Sequence, residues 1–554
     1  MKNKSTQSAF FYWRTSVGVL FVLAGLFLGL LSFGQFSAQA QRSTLAKSGV
    51  SPLVPAGFDC AQIRNLGINV QENLRAGAIM IACGQAIGGY QSSPTSAGKI
   101  IDAMSAPLGA DVDLINNPSP ETGTHVTQSE TFAAANPDNT DQVVVAFNDS
   151  RGVFASPINI SGASVSTDGG FSFTRLTCPT TTGTCVAGQS PFKNTFGDPV
   201  MLYNRTTTTW YAIFLDAGCG GQGIGGYKST NPSDPNSWAH FCVHTGSGDD
   251  RESGYADNNS TSPFFGRMYV SWNDFSLGGN LKVTRSSDGG VTWTSVQLAS
   301  ASPFIRDVQI TGDTNGNVFV AGMDEGGGGF NQRINRMYRS TDGGVTFALT
   351  YTGPAFAAPG RTLCPNTYFV CMFSGPPGDW RHMGWGEPAV LNGVVHYVYD
   401  QHGASTDPAD VYYIRSTDNG VTFSTPVKLN LDSTTKANWQ PNLSIGANNT
   451  LQAVWYDERE ATATCVKGDE TVPCYRMYSR RSTDGGLTWL PEQKLSDVVS
   501  PLPGQPDSGI ISEYAGDYDY AKGVGNHHYH PWTDGRVLVN SASQQDVFFD
   551  RRAK

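Results

Sequence analysis

Five times along the chain one eight-residue phrase returns, and nothing else in the sequence restricts the fold as tightly. The copies are Ser166-Thr-Asp168-Gly-Gly170-Phe-Ser172-Phe173, Ser286-Ser-Asp288-Gly-Gly290-Val-Thr292-Trp293, Ser340-Thr-Asp342-Gly-Gly344-Val-Thr346-Phe347, Ser416-Thr-Asp418-Asn-Gly420-Val-Thr422-Phe423 and Ser482-Thr-Asp484-Gly-Gly486-Leu-Thr488-Trp489. A looser copy with an insertion runs from Ser229 to Trp238. Each places Asp-Gly or Asn-Gly between alternating apolar runs, the signal for a β-hairpin. The Asp accepts from turn amides, Gly supplies φ > 0, and the closing aromatic packs on a neighbour.

A second pattern counts the units. Strand-like runs end in Asp seven times, at Asp149, Asp216, Asp274, Asp324, Asp400, Asp457 and Asp534. Their spacing averages about 64 residues, enough for four short strands with turns. The sequence therefore predicts an all-β chain folded as a single β-propeller of seven four-stranded blades, with six the alternative. The last unit, from Gly516 to Arg552, lacks an Asp-Gly turn and a fourth strand, and Asp111-Val-Asp-Leu-Ile115 has the alternation to supply one. Residues 41–124 are expected to hold an N-terminal cap and this closing strand, and residues 125–554 the propeller. Within the cap, the stretch between Cys60 and Cys83 leans helical, with breaks at Gly67 and Gly77.

With 63 Gly, 30 Pro, 11 Trp, 21 Tyr, 29 Phe and only 15% charged residues, disorder, collagen and helical bundles are excluded. The formal net charge of −10 disfavours nucleic acid and anionic membranes as partners. Residues 1–40 carry Lys2, Lys4 and Arg14, an apolar run from Val17 to Phe33, and then Ser37-Ala-Gln-Ala40. This order predicts a signal peptide cleaved before Gln41, an uncleaved anchor being the alternative. The expected location is secreted, periplasmic or cell-surface, with no membrane insertion after cleavage. All ten cysteines follow that segment, and their spacing points to five sequential disulfides, 60–83, 178–185, 219–242, 364–371 and 465–474.

The phrase S-x-D-x-G-x-[ST]-[FW] resembles the Asp box, or BNR repeat, of the sialidase superfamily, over roughly residues 125–554. The resemblance implies a propeller with Asp boxes joining third and fourth strands on the face opposite the substrate site. It does not imply sialidase activity, since Asp-box propellers also include sorting receptors, assembly factors and non-catalytic surface proteins. Sialidases hold the substrate carboxylate with three arginines, the first in a Phe-Arg-Ile-Pro-like motif. Here Phe304-Ile-Arg306-Asp307 lacks the Ile-Pro and lies midway along the chain.

If third-to-fourth turns lie below, second-to-third loops and inter-blade links lie above. The seven recurrent Asp residues occur in every unit and read as structural caps. Non-repeating polar residues are the better site candidates. For catalysis these are Glu252, Asp307, Glu325 and Glu387, because a glycosidase needs two carboxyl groups about 5 to 9 Å apart. Arg251, Arg306, Arg381 and His382 are the candidates for substrate binding, a guanidinium fork matching an acidic ligand. For any single one of them the default reading is a surface or inter-blade salt bridge. In Asn526-His-His-Tyr-His530, strand alternation leaves at most His528 and His530 on one side, so neither a metal nor a cofactor is assigned. Two functions stand side by side: a glycan-recognising propeller acting as a glycoside hydrolase, and a non-catalytic scaffold presenting loops to a polysaccharide or surface protein.

Overall fold

The computed structural model describes residues 45–46, 51–89, 110–123, 126–183, 185–373, 380–460, 465–467, 470–502, 505–539 and 542–553. The expected signal segment and its cleavage point lie outside them. Among the described residues, seven sheets each hold a set of four antiparallel strands, successive in the chain for five of them, with an extra strand on the first and sixth and strands from both chain ends in the seventh. In chain order their inner strands are Gln128–Asn136, Val200–Asn204, Asp249–Ala256, Ile305–Gly312, Glu387–Leu391, Asn438–Ile445 and Lys522–Val524. Each inner strand packs against the next, and the seventh packs back on the first, so the inner strands surround a common axis. One unit cannot bury both faces of its sheet alone. Val143, Val145, Phe147, Tyr529 and Phe549, for example, form one core between the seventh and first sheets.

The seventh sheet draws on both ends of the sequence. Val112–Asp113 pairs antiparallel with Asp546–Ala553 in the register Val112 with Phe549. Leu114 and Ile115 continue inward and are buried in the core shared with the first sheet.

The five close copies of the repeated phrase join third to fourth strands and share one hydrogen-bond set. Asp288 Oδ1 accepts from the Val291 and Thr292 amides, Thr292 Oγ1 donates to Oδ2, and Ser286 Oγ accepts from the Gly290 amide. Gly289 and Gly290 both take φ near +73°, the left-handed turn that a side chain would oppose. A further regularity links neighbours: the carbonyl after each box Asp accepts from the preceding sheet. The donors are Arg551 for Gly169, Tyr211 for Gly289, Arg267 for Gly343, Arg339 for Asn419 and Arg415 for Gly485. The closing aromatics behave alike, with Phe423 against Tyr351 and Trp489 against Tyr413 of the sheet before.

All five disulfides join the expected cysteines. Cys219 and Cys242 lie close to His240, but their sulfurs are bonded to each other, not available as thiolates for a metal. No described helix is long and apolar enough to cross a membrane. Residues 51–89 form an appendage with one α-helix, Leu74–Ala82, capped by Asn73 Oδ1 accepting from the Ala76 amide. Gly67, at φ +62°, does interrupt helical structure, but Gly77 lies inside the helix. There a Cβ would stand 3.1 Å from Ile511, so Gly77 is small for close packing and does not break the helix.

Candidate functional site

Second strands end on the face opposite the boxes, and five of the recurrent Asp side chains there accept the amide two residues on, as caps do. These are Asp149, Asp216, Asp324, Asp457 and Asp534. Asp400 instead accepts at 2.8 Å from Nε2 of His382, which lies in a separate small sheet, so that His is a partner of the recurrent Asp and not a ligand-facing group.

The entry to the inner strands on this face is built from unusual backbone. Glu130, Asp198, Arg251 and Gln440 all have φ between 51° and 59°, left-handed conformations uncommon for residues with a side chain. Three of them sit in bulges, between Ser129 and Thr131, Asp250 and Ser253, and Trp439 and Asn442. A bulge re-aims the side chain it carries, and here polar side chains turn from the sheet interfaces toward the axis. Residues held in such wells cluster at functional sites.

Into this opening the appendage inserts residues 70–73. Arg306 Nη2 donates to the Val70 carbonyl at 2.6 Å, and Arg381 donates to the Glu72 carbonyl. The Glu72 amide and Asn73 Nδ2 donate to the two oxygens of Asp250 at 3.0 and 2.7 Å. The Glu72 carboxylate lies 3.3 Å from Arg251 Nε and 3.6 Å from Arg306 Nη1. Burial pushes Glu72 well above the usual carboxylate range, and the charges of Arg306 and Arg251 offset this only in part.

The other charged groups divide into fixed pairs and open ones. Arg306 grips Glu325 with Nε at 2.9 Å and Nη2 at 3.2 Å, and Tyr368 and Trp385 also donate to Glu325, at 2.5 and 2.8 Å. Burial raises Glu325, but Arg306 and these hydrogen bonds outweigh it and hold the group below its ordinary value. Arg381 is likewise clamped on Asp517, its Nε 2.8 Å from Oδ1. By contrast Glu252 is fully buried and neither carboxylate oxygen has a hydrogen-bond partner. Burial first, and then the neighbouring charges of Asp198 and Asp250, push it well above the carboxylate range. Arg251 is sandwiched, its guanidinium 4.2 Å from the Tyr518 ring and 5.0 Å from Trp385, with Nη1 making no hydrogen bond.

Of the sequence candidates, Arg251, Arg306, Arg381, Glu252 and Glu325 thus belong to one buried cluster. Glu387 does not, and this corrects its grouping with the others. It accepts from Gln309 Nε2 and the Leu443 amide, and with Lys522 lines a small cavity farther along the axis. The reason is register: Glu387 pairs with Val398, two residues before the recurrent Asp, whereas Arg306 pairs with Met323, one before. His382 is removed by its bond to Asp400. The side chain of Asp307 lies outside the described residues. The surface-exposed character that salt bridges would have had is absent too, for every described candidate is buried. His528 and His530 do share a side, both within reach of Ser444 Oγ, at 2.6 and 3.5 Å.

Sequence reasoning passed over Glu72, Asp198, Asp250, Tyr368, Trp385 and Tyr518. One signal was available: Glu72 is the only acidic residue between Cys60 and Cys83.

No protein-family model and no curated protein matches the chain. Among solved structures it is similar to a Dyadobacter fermentans protein described as of unknown function, at 13% identity and TM-score 0.39, covering 81% of this chain and all of that one. It is also similar to a PL25 ulvan lyase, at 9% identity and TM-score 0.42, covering 81% and 97%. A third is the GH93 α-L-arabinofuranosidase of Fusarium graminearum, at 11% identity and TM-score 0.34, covering 54% and 92%. At these scores the likeness assigns neither a substrate nor a reaction.

Proposed function

We propose that this chain is an exported seven-bladed propeller of the Asp-box type that recognises an acidic glycan on its axis and hydrolyses a glycosidic bond there. One observation carries it: side chains from three neighbouring units, Arg251, Arg306 and Arg381, converge on one short segment holding a carboxylate, beside a buried acid with no partner. Arginine forks recognise carboxylates, and the Trp385, Tyr518 and Tyr520 rings offer faces for the apolar side of a sugar.

In the reaction, Glu252, kept protonated by burial, would donate its proton to the glycosidic oxygen as the bond to the anomeric carbon breaks. Water would then attack the anomeric carbon, leaving its hydroxyl on the sugar and giving its other proton to the Glu252 carboxylate, which restores the acid. Glu325 would not enter the chemistry; it holds Arg306 and Tyr368 in place. Five disulfides support folding in an oxidising compartment.

The second reading is the non-catalytic scaffold, favoured by the burial of the cluster and the fixed pairs Arg306–Glu325 and Arg381–Asp517. A panel of acidic and neutral aryl-glycosides separates the two. The enzyme reading expects slow hydrolysis of acidic members, reduced about 100-fold or more in Glu252→Gln. No turnover and no glycan binding across the panel would leave only the scaffold.

A further inference from the structure

We propose that residues 70–73 occupy the glycan's place as an intramolecular plug, with Glu72 standing in for the carboxylate of an acidic sugar. This rests on the reading above that the axial cluster takes an acidic glycan.

The quality of the contacts separates the plug from the frame. Arg306 meets Glu325 in a bidentate pair, and Arg381 meets Asp517 in the same way. Glu72 has no such fit. Both its oxygens are buried without a hydrogen bond, and its two arginine contacts are the longer ones, at 3.3 and 3.6 Å. Arg251 Nε and Nη1 and Arg306 Nη1 are also left without hydrogen bonds. Guanidinium donors thus stand around Glu72 with hydrogen-bonding capacity to spare, and their occupant is poorly matched to them. Burying Glu72 here carries a desolvation cost that these long contacts do not recover.

The backbone around Glu72 completes the mimicry. Asp250 takes two donors from the plug, the Glu72 amide and Asn73 Nδ2, the kind of contact that hydroxyl or amide groups of a sugar acid would make. Meanwhile the appendage is anchored elsewhere. Leu53, Leu74 and Ala78 pack with Ile160, Phe196, Leu215, Ile510 and Ile511, and Cys60–Cys83 pins its ends. The segment therefore does not depend on the Glu72 side chain to stay attached, and the plug reading has the tip leave the cluster while the helix remains docked.

The test uses the full-length exported chain with Glu72→Ala and Glu72→Gln, the latter keeping the side chain's shape if the former does not fold. Glucuronate, glucose and acetate are titrated calorimetrically, and amide exchange across residues 70–82 of the unaltered protein is followed with and without saturating glucuronate. The plug predicts that either variant binds glucuronate about tenfold or more tightly than the unaltered protein does, and more tightly than it binds acetate or glucose. It also predicts that glucuronate speeds exchange at residues 70–73 in the unaltered chain. Exchange that stays unchanged, or folded variants that bind glucuronate no better, would overturn it, Glu72 then being structural only. Variants that bind acetate and glucuronate alike would reduce the site to a carboxylate cavity and sink the glycan reading with it. Glucose bound as well as glucuronate would leave a glycan site standing and remove the mimicry.

Discussion

At the residue scale, burial decides which carboxyl groups keep their protons. Glu387 shows this away from the cluster: burial pushes it up to about 8, while its hydrogen bonds from Leu443 and Gln309 and the Lys522 charge pull the other way. Lys522 faces the same cavity and is itself lowered by burial. A carboxyl group raised on folding binds a proton that the unfolded chain has released. Its contribution is therefore whole below the unfolded value and is lost as pH rises toward 8. Glu387→Gln should flatten the fall in stability between about pH 5 and 8, by about 1.4 kcal/mol per pH unit at most. Denaturant titrations at several pH values check this; parallel profiles for variant and parent would refute it. The strained Arg251 backbone belongs to the same scale, since φ of +59° is what aims its guanidinium at the Tyr518 and Trp385 faces.

At the element scale the repeated phrase is a turn and a clasp at once. Asp418 folds its own turn through the Val421 and Thr422 amides, and Arg339 of the sheet before holds the same turn through the Asn419 carbonyl. Asp418→Ala and Arg339→Ala should each cost about 1 kcal/mol of stability. Because both act on one turn, the double variant should lose less than the two losses added together. Unfolding free energies for the four proteins of the cycle measure the coupling, and strict additivity would mean that box and clasp are independent. The repeats were legible because a turn with two left-handed residues accepts few sequences. The clasp was not, because its donors, Arg551, Tyr211, Arg267, Arg339 and Arg415, belong to the neighbouring sheet, 70 residues or more from the turns they hold, and only the ring brings them together.

At the scale of the whole molecule, the ring is closed by a strand from the opposite end of the chain. Leu114 and Ile115 lie in the core between the first and seventh sheets, with Val145, Phe147, Val547 and Phe549. Leu114→Ala should cost about 2–5 kcal/mol, as large-to-small changes in packed cores do. Because the loss falls at the closure, the midpoint of unfolding followed by tryptophan fluorescence and by circular dichroism should drop together. A drop in one signal alone would show that the sheets unfold separately.

What the sequence determined by itself is the part that repeats. Seven Asp-terminated strands, six turns and five cysteine pairs each recur with a local physical cause, so they could be read in short windows. The alternation in residues 111–115 pointed to a strand for the same reason. Which polar residues meet on the axis was decided by the tertiary structure alone. Bulges shift the register from sheet to sheet, so that Arg251 and Arg306 face the cluster while Glu387 falls below it. The appendage brings Glu72 to groups between 178 and 445 residues away in sequence, from Asp250 to Asp517. No local pattern encodes such a meeting, because it depends on where a ring of sheets closes and on what is packed over its mouth.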